Sequence, residues 1–233
     1  MATHGKKRHT KRLAAPKALQ LLRKENRWVK TTIAGSHSKT FSIPLVVLLR
    51  DMLKVVSTTR EAKKVLNAGK ITIDGRIITN PGFSIGLMDI VTIQGGDSFV
   101  IINKKGKLLP VKTTLNTYKL CKVTGKHVTK NGKVQLTLHD GRSLIVKDGK
   151  PYSTGDTLKL EIPSAKVLEH YKLEKGSTCY VFRGRHAGEI GSLVEIHVFP
   201  GITPSNAKIT TSSGKEAITL KDYILVVDKH FKA

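Results

Sequence analysis

Gly-centred turn dipeptides recur at short spacing through the middle of the chain, and they constrain its fold more than any other feature. They occur at Asn131-Gly132, Asp140-Gly141, Asp148-Gly149 and Gly155-Asp156. Asn-Gly and Asp-Gly pairs favour the tight turns of β-hairpins, because these residues tolerate positive φ angles. The runs between the turns alternate apolar and polar residues, as half-buried strands do. Residues 95–170 are therefore predicted to form an all-β domain, a small barrel or sandwich.

A helix is predicted before this domain, at the start of residues 42–94. Ser42 can cap a helix, Pro44 suits its first turn, and Leu45–Lys54 is expected to continue it. Its apolar face is unusually wide, which indicates that another part of the protein packs on it.

A second helix and a hairpin follow. Thr58 and Glu61, three residues apart, form a capping box, and Gly69 is a natural helix terminus. Asp74-Gly75 between two β-rich triplets predicts a type I′ hairpin, and Asp89–Ile93 predicts a returning strand. The predicted order is helix, helix, hairpin and strand.

Short apolar runs separated by glycines also fill residues 171–233, which are predicted to form a second small β-barrel. The whole chain is thus predicted to be α+β and mostly β. Its predicted parts are a basic N-terminal extension (1–41), a helix-helix-hairpin module (42–94), a central β-domain (95–170) and the C-terminal β-unit (171–233). Since Asp74, Asp140, Asp148 and Asp156 occupy turns, few carboxylates remain for catalysis.

Charge is the second strong constraint on this chain. Its 41 Lys and Arg residues against 17 Asp and Glu give a formal net charge of +24. Residues 1–40 hold eleven basic residues and a single acid, Glu25. Such a protein repels itself unless a polyanion neutralises it, and contacts to nucleic-acid phosphates release condensed counterions. The chain is therefore predicted to bind a phosphate backbone.

The N-terminal extension is predicted to be disordered in isolation over its first twelve residues, which show no hydrophobic periodicity. A short helix is predicted over residues 16–24, with Pro16 near its first turn. Trp28 lies among the cations Arg27 and Lys30. Either its ring packs on the neighbouring domain, or it stacks on a base or sugar while the two cations bind phosphates.

Membrane and secreted proteins are disfavoured. Cys121 and Cys179 lie far apart without CxxC spacing, so they are interpreted as buried thiols in a reducing compartment. The longest apolar run, Ile43–Leu49, is far shorter than the about 20 residues of a membrane helix. No apolar stretch follows the basic N-terminus as in a secretory signal. A cytoplasmic protein is expected.

Signatures of catalysis or cofactor binding are missing from the sequence. It contains no Walker loop, no GxGxxG before a helix, no HExxH and no nucleophile elbow. His4 and His9 have no Cys or carboxylate at ligand spacing, so no metal site is predicted. No cofactor and no small-molecule substrate are expected.

Residues 42–94 resemble the αL RNA-binding module of several ribosomal proteins, pseudouridine synthases and some aminoacyl-tRNA synthetases. The resemblance rests on Thr59–Leu66, on Gly69–Gly75 and on the strand that begins at Asp89, although Met88 stands where that family usually has Gly. It implies that the second helix and the hairpin grip structured RNA. A helix N-terminus offers N–H groups to phosphate, which agrees with this role. A solvated, charged helix face is the alternative interpretation.

Residues 175–194 resemble a KOW motif, in which a strand runs through a Gly-rich loop into a second strand. The loop Arg183-Gly184-Arg185-His186 is its basic tip. The resemblance implies contact with RNA or with another protein of the same assembly. A plain hairpin with solvated charges is the alternative.

The combination and order of these parts resemble the S4e family of small-subunit ribosomal proteins, found in archaea and eukaryotes. Residues 11–17, 83–89 and 118–123 add to the resemblance, and the short C-terminus is similar to archaeal members. It implies a structural protein, not an enzyme, that binds small-subunit rRNA and neighbouring ribosomal proteins on the cytoplasmic ribosome. The alternatives are a KOW-containing transcription factor and an RNA-modifying enzyme.

The candidate RNA-binding residues come from three basic parts of the chain. In the extension they are Lys6, Lys7, Arg8, His9, Lys11, Arg12, Lys17, Arg23, Lys24, Arg27, Trp28, Lys30 and Lys39. In the αL-like module they are Thr59, Arg60, Lys63, Lys64 and Lys70. In the KOW-like loop they are Arg183, Gly184, Arg185 and His186.

Overall fold

Short antiparallel strands make up most of the computed structural model, which describes residues 9–114, 117–130, 132–199, 201–211, 214–228 and 231. Within those residues, helical structure is confined to two helical segments and a few single 3₁₀ turns. The predicted fold class, α+β and mostly β, is confirmed at this level. The described part holds no helix that is long and apolar enough to cross a membrane.

The N-terminal extension is folded where the structure describes it. Strands β1 (Thr10–Lys11) and β2 (Trp28–Val29) pair in antiparallel register. The hydroxyls of Thr10 and Thr31 share a hydrogen bond of 2.8 Å. Pairing with a later segment thus orders a stretch that lacks any structural signal of its own.

The short helix predicted over residues 16–24 is wrong, because this stretch forms isolated turns. A helix bonds its carbonyl groups internally. Here the carbonyl of Ala15 accepts from the Arg23 guanidinium, and that of Ala18 accepts from the Leu108 N–H. Tertiary partners have replaced the helical hydrogen bonds.

Two helical segments and a five-stranded sheet follow. The elements are β3 (Ile43–Pro44), α1 (Leu45–Val47, continued by a wider π-helical turn, Leu48–Met52), α2 (Thr59–Asn67), β4 (Ile71–Ile73), β5 (Arg76–Ile77), β6 (Ser84–Ile85), β7 (Ile90–Ile93), β8 (Ser98–Lys104) and β9 (Lys107–Thr113). The sheet order is β5-β4-β7-β8-β9, and β3 pairs with β6. Residues of the extension, including Ala18 and Leu19, share the apolar core with the almost completely buried start of α1.

Helix α1 departs from its prediction at both ends. Ser42 does not cap it, and its buried hydroxyl finds no hydrogen-bond partner in the described structure. Pairing of β3 with β6 keeps the backbone extended through Pro44, so the helix begins only at Leu45. It ends at Met52 rather than Lys54, whose φ of 54° leaves the right-handed helical region.

Local signals are confirmed in α2 and in the hairpin after it. The Glu61 N–H donates to Thr58 Oγ1 at 3.2 Å, and the Thr58 N–H donates to the Glu61 carboxylate at 3.3 Å, which is the predicted capping box. Gly69 has the expected positive φ of 70°. In the hairpin, φ is 47° at Asp74 and 74° at Gly75, as a type I′ turn requires.

Two further antiparallel sheets form the rest of the described chain. The first contains β10 (Tyr118–Val128), β11 (Val134–Leu138), β12 (Ser143–Val146), β13 (Thr157–Glu161) and β14 (Val167–Tyr171), in the order β12-β11-β10-β13-β14. The second contains β15 (Thr178–Val181), β16 (Ile190–His197), β17 (Asn206–Thr211), β18 (Glu216–Leu220) and β19 (Ile224–Val226), in the order β18-β17-β16-β15-β19. Each sheet has its own apolar core, and each core includes one free, buried cysteine, as predicted.

The predicted division into domains remains a prediction, but strand pairing bears on its boundary at residue 94. Strands β7 and β8 pair directly on either side of that position, with Val91 opposite Phe99. The sheet that begins in the helix-helix-hairpin region therefore continues as far as Thr113.

A buried ion cluster joins the first two sheets. The Nζ of Lys119, a residue only 2% exposed, donates to Asp74 at 2.8 Å, Asp89 at 2.6 Å and Asp140 at 3.0 Å. Arg142 Nη2 adds a bond of 2.7 Å to Asp74. Carboxylates from three separate loops thus meet one ammonium in the interior, where an unpaired charge would be strongly unfavourable.

Two histidines extend the cluster. His37 Nε2 lies 2.9 Å from Asp89 Oδ2, which ties the N-terminal extension to it. His139 Nδ1 accepts from the Lys122 N–H and its Nε2 donates to the Leu87 carbonyl, both at 3.2 Å. This pattern requires the neutral imidazole. Burial, helped by the nearby ammonium, lowers the pKa of His139 to about 4.

A second contact joins the central and C-terminal sheets. Lys122 Nζ donates to the carbonyls of Lys221 at 3.1 Å and Asp222 at 2.9 Å, and it lies 5.8 Å from the centre of the Phe182 ring. Burial lowers the pKa of Lys122 to about 8. The three sheets are therefore linked by side chains of one strand, β10.

Replacing Lys119 by Met should destabilise the protein by about 3–5 kcal/mol, because three carboxylates stay buried without their central cation. The measurement is the urea-unfolding midpoint at pH 7. Lys159→Met is the matched control, since Lys159 pairs at 3.0 Å with the exposed Glu169 and such pairs contribute about 1 kcal/mol or less. Equal shifts in the two variants would contradict a special role for the cluster.

Acidification should destabilise the protein below about pH 6.5, where a His in an unfolded chain takes up a proton. Folded His139 stays neutral down to about pH 4, so the unfolded state binds more protons between these values. The stability that neutral His139 contributes is complete above this window and is lost as the pH falls through it. Burial alone would raise the pKa of Asp89, but Lys119 and His37 hold it well below its usual range, so its contribution is lost at still lower pH.

Urea midpoints at pH 7, 5.5 and 4.5 check this expectation. His139→Gln can keep both hydrogen bonds without titrating, so its midpoint should depend less on pH than that of the wild type. An unchanged pH dependence in this variant would assign the effect to other groups.

Candidate nucleic-acid interface

The basic side chains predicted on α2 lie on its solvent face. Arg60, Lys63 and Lys64 are exposed, whereas Ala62 and Leu66 are fully buried on the opposite face. Spacings of three and four residues place the three cations on adjacent turns of one helix face. Lys70, at the entrance to β4, is exposed as well. The structure therefore keeps these four charges free for an external anion.

Helix α1 adds a cation beside this face that the sequence analysis missed. Arg50 Nη1 donates to Thr59 Oγ1 at 3.1 Å, so its guanidinium lies at the start of α2. Arg50 also pairs with Asp51 at 2.9 Å, and its side chain is 26% exposed. Only the contact between the two helices identifies this residue, since its own sequence context is apolar.

The N-terminus of α2 is already occupied by a carboxylate. Glu61 accepts from the N–H groups of Ser57 and Thr58 at 2.9 and 3.3 Å, and these bonds lower its pKa. The amides of Ser57, Thr58 and Glu61 thus have partners within the chain. The Glu61 carboxylate also places a negative charge at this helix end, where a phosphate would otherwise bind.

The hairpin turn expected to grip RNA faces another part of the same chain. Asp74 is 4% exposed and belongs to the ion cluster. A Cβ added at Gly75 would lie 2.9 Å from Pro163 Cβ and 3.2 Å from Ile162 Cγ2, so glycine permits this close approach. In this module α2 and Lys70 are exposed, as are Arg76 and Ile77 of β5, whereas Asp74 in the turn is buried against another part of the chain.

Most of the candidates in the N-terminal extension are exposed. Lys6, Lys7 and Arg8 lie outside the described residues. The exposed ones are His9, Lys11, Lys17, Lys24, Arg27, Trp28, Lys30 and Lys39. The Trp28 ring is 51% exposed and is not buried against a neighbouring domain. The Arg27 guanidinium lies 5.2 Å from its centre, and the His9 ring lies 6.0 Å away.

The assignment of Arg12 to the RNA-binding surface is wrong, because this residue is 1% exposed. Its guanidinium pairs with Glu25 at 3.0 Å and Asp51 at 3.7 Å, and donates to the Leu22 carbonyl at 2.7 Å. A stretch without regular structure leaves carbonyl groups unpaired, and arginine donors satisfy them. Arg12 is therefore a structural residue.

The polar residues of the KOW-like loop differ in their contacts with the rest of the chain. The Arg183 guanidinium lies 5.4 Å from the Phe41 ring centre and 5.7 Å from that of Tyr223, and Gly184 lies against Tyr223. His186 Nδ1 lies 3.2 Å from the Glu189 carboxylate. Arg185 is exposed. Arg183 thus lies beside two aromatic rings and is still exposed, so both arginines of the loop present positive charge at the surface.

No metal centre is evident in the part of the chain that the structure describes, where His, Cys, Asp and Glu nowhere form a group of three or more suited to hold an ion. The three clustered carboxylates surround a lysine ammonium instead.

Comparisons with known proteins agree with this geometry. Three family models match the chain: the RS4NT (NUC023) domain over residues 4–40, the S4 domain over residues 43–91 and the ribosomal family S4e over residues 95–167. The S4 domain match covers α1, α2 and the hairpin, and the RS4NT match covers most of the extension.

Curated relatives are similar over nearly the whole chain. Small ribosomal subunit protein eS4 of Methanothermobacter thermautotrophicus is 38% identical, with 98% of this chain and 96% of the relative covered. Its counterpart from Methanocaldococcus jannaschii is 37% identical, with 97% and 96% covered. The crystal structure of 30S ribosomal protein S4e from Thermoplasma acidophilum matches with a TM-score of 0.69 and 29% identity, over 81% of this chain and 96% of that one.

Proposed function

Because the chain belongs to the S4e family, we propose that it is a structural constituent of the small ribosomal subunit and binds small-subunit rRNA. This is a family of ribosomal structural proteins, so the chain is not an enzyme. The observation that carries the rRNA-binding part is the exposed group Arg60, Lys63, Lys64 and Lys70 on the region matched by the S4 domain. Its location would be the ribosome in the cytoplasm.

The S4-domain region acts as the proposed αL-type module. Its three helix cations lie on an exposed face that offers no deep pocket for a single base. They suit the phosphates of a folded RNA surface. Ala62 and Leu66 of the helix pack in one apolar core with Ile71 and Ile73 of β4, which fixes the orientation of the helix on the hairpin. Recognition by this module would therefore depend on the shape of the RNA and on its phosphate spacing.

The extension and the KOW-type loop supply further contacts in this proposal. The half-exposed Trp28, with Arg27 and Lys30 beside it, suits a stacked base or sugar flanked by phosphates. Arg183 and Arg185, both exposed, are the cations of the loop proposed to contact RNA or a neighbouring ribosomal protein. Linking several weak sites in one chain raises the effective concentration of each, so the protein could hold separate RNA segments together.

Sedimentation of cell lysate through a sucrose gradient at moderately high salt tests this function. Raised salt removes nonspecific contacts of basic proteins first. Near-stoichiometric presence of the chain in the small-subunit peak is expected. Recovery only in light fractions would overturn the ribosomal role and favour a free factor, such as a KOW-containing transcription factor.

Arg60→Ala combined with Lys64→Ala should weaken binding to small-subunit rRNA about tenfold or more and lower the slope of log K against log salt by about 2, because two phosphate contacts are lost. The probe is Methanothermobacter thermautotrophicus small-subunit rRNA, transcribed in vitro and measured by filter binding at several salt concentrations. Lys130→Ala with Lys133→Ala removes the same charge from exposed residues of another loop. Equal losses in both variants would mean that only total charge matters. Arg142 is unsuitable as a control, because it supports the ion cluster.

A further inference from the structure

A basic groove of about 510 Å³, separate from the exposed face of α2, lies between the turns of the extension and the tip of the β8–β9 hairpin. Its polar lining comes from Lys17, Gln20, Arg23, Lys105 and Lys107, and none of the α2 cations contributes to it. The sequence analysis assigned no role to the two hairpin lysines. We call this site the hairpin groove.

Hydrogen bonds to other parts of the chain fix both walls of the hairpin groove. The Leu108 N–H donates to the Ala18 carbonyl at 2.9 Å, which fastens the hairpin to the extension. The Lys105 N–H donates to the Ala187 carbonyl at 2.9 Å, which fastens the tip to the KOW-like loop. A Cβ added at Gly188 would lie 3.2 Å from Lys104 Cα, so the two loops touch through backbone. The groove is therefore formed before any ligand arrives.

The charge of the hairpin groove is uncompensated. Its lining includes four cations and no carboxylate, and among the described residues none of these four takes part in an ion pair. Arg23 donates to the carbonyls of Leu13, Ala15 and Pro16, which leaves its positive charge in place. Like charges gathered on one surface repel one another, so an anion that spans the groove would gain from all of them together.

The shape of the hairpin groove favours a phosphate backbone over a base. Its apolar wall consists of Leu19 and Leu21, and no aromatic ring lines it for stacking. Exposed Lys104 and Arg185 lie on the two loops that meet at its edge, which extends the positive surface beyond the groove itself. Several cations on one continuous surface fit a polyanion with repeated charges.

On the premise of the proposed function, we infer that the hairpin groove is a second rRNA-binding site, which takes the sugar-phosphate backbone without reading its sequence. It is assembled from the extension and the β8–β9 hairpin, and the KOW-like loop is bonded to the hairpin beside it. The groove would then add a separate contact surface to those proposed on α2, at Trp28 and on the KOW-like loop.

Lys105→Asn with Lys107→Gln tests the inference. Asn tolerates the positive φ of 51° at position 105, so the hairpin turn is retained. Binding to the in vitro transcribed Methanothermobacter thermautotrophicus rRNA should weaken about tenfold, and the salt slope should fall by about 2. The matched control, Lys130→Asn with Lys133→Gln, should bind as the wild type does. Equal affinity of the groove variant and this control would overturn the inference.

Directed cleavage locates the RNA independently of affinity. Cys121 and Cys179 are buried, so an iron chelate attaches selectively to a cysteine introduced at exposed Gln20 in the groove or at exposed Ser143 on β12. Localised cleavage of the bound rRNA from Gln20→Cys, stronger than from Ser143→Cys, is expected. Intact binding without cleavage from position 20 would overturn the groove and leave the α2 interface standing. If the wild type does not prefer this rRNA to an unrelated RNA, both the proposed function and the inference fail.

Discussion

The ammonium of Lys119 is the interaction on which the arrangement of the sheets depends. It donates hydrogen bonds to three carboxylates, those of Asp74 in the β4–β5 turn, Asp89 in the loop before β7 and Asp140 in the β11–β12 turn. An ion of this kind is tolerated in the interior only when all of its partners are in place. The cluster therefore favours one relative position of the first two sheets, and through His37 it also fixes the extension.

The basic residues of the protein fall into two groups, one buried and one exposed. Lys119, Lys122 and Arg12 are buried and bonded to the chain's own carboxylates and carbonyls. The cations of α2 and of the hairpin groove pair with no carboxylate within the described structure, although Arg23 donates to backbone carbonyls. Net charge alone thus overestimates the number of RNA contacts, and the structure supplies the distinction. The buried cations fix the relative positions of the elements that carry the exposed ones.

Local features were predictable from the sequence because their causes lie within a few residues. The capping box at Thr58 and Glu61, the Asp74-Gly75 turn and most strands agree with their predictions. Predictions failed where distant partners compete with local preference. In the stretch over residues 16–24, where a helix was expected, carbonyl groups accept hydrogen bonds from Arg23 and Leu108 instead of from helical N–H groups. Helix α1 starts later than predicted because β3 pairs with β6.

The sequence by itself determined the mostly-β class, the α2 helix with its exposed cations and the resemblance to a ribosomal family, since periodicity, turn chemistry and charge are properties of neighbouring residues. Only the tertiary structure decided which cations are free. Arg12 and Lys104 look alike in the sequence, yet one is enclosed by two carboxylates and the other lies at the edge of an open groove. That difference arises from burial and from partners far away along the chain, because the energy of a charge depends on its surroundings in space.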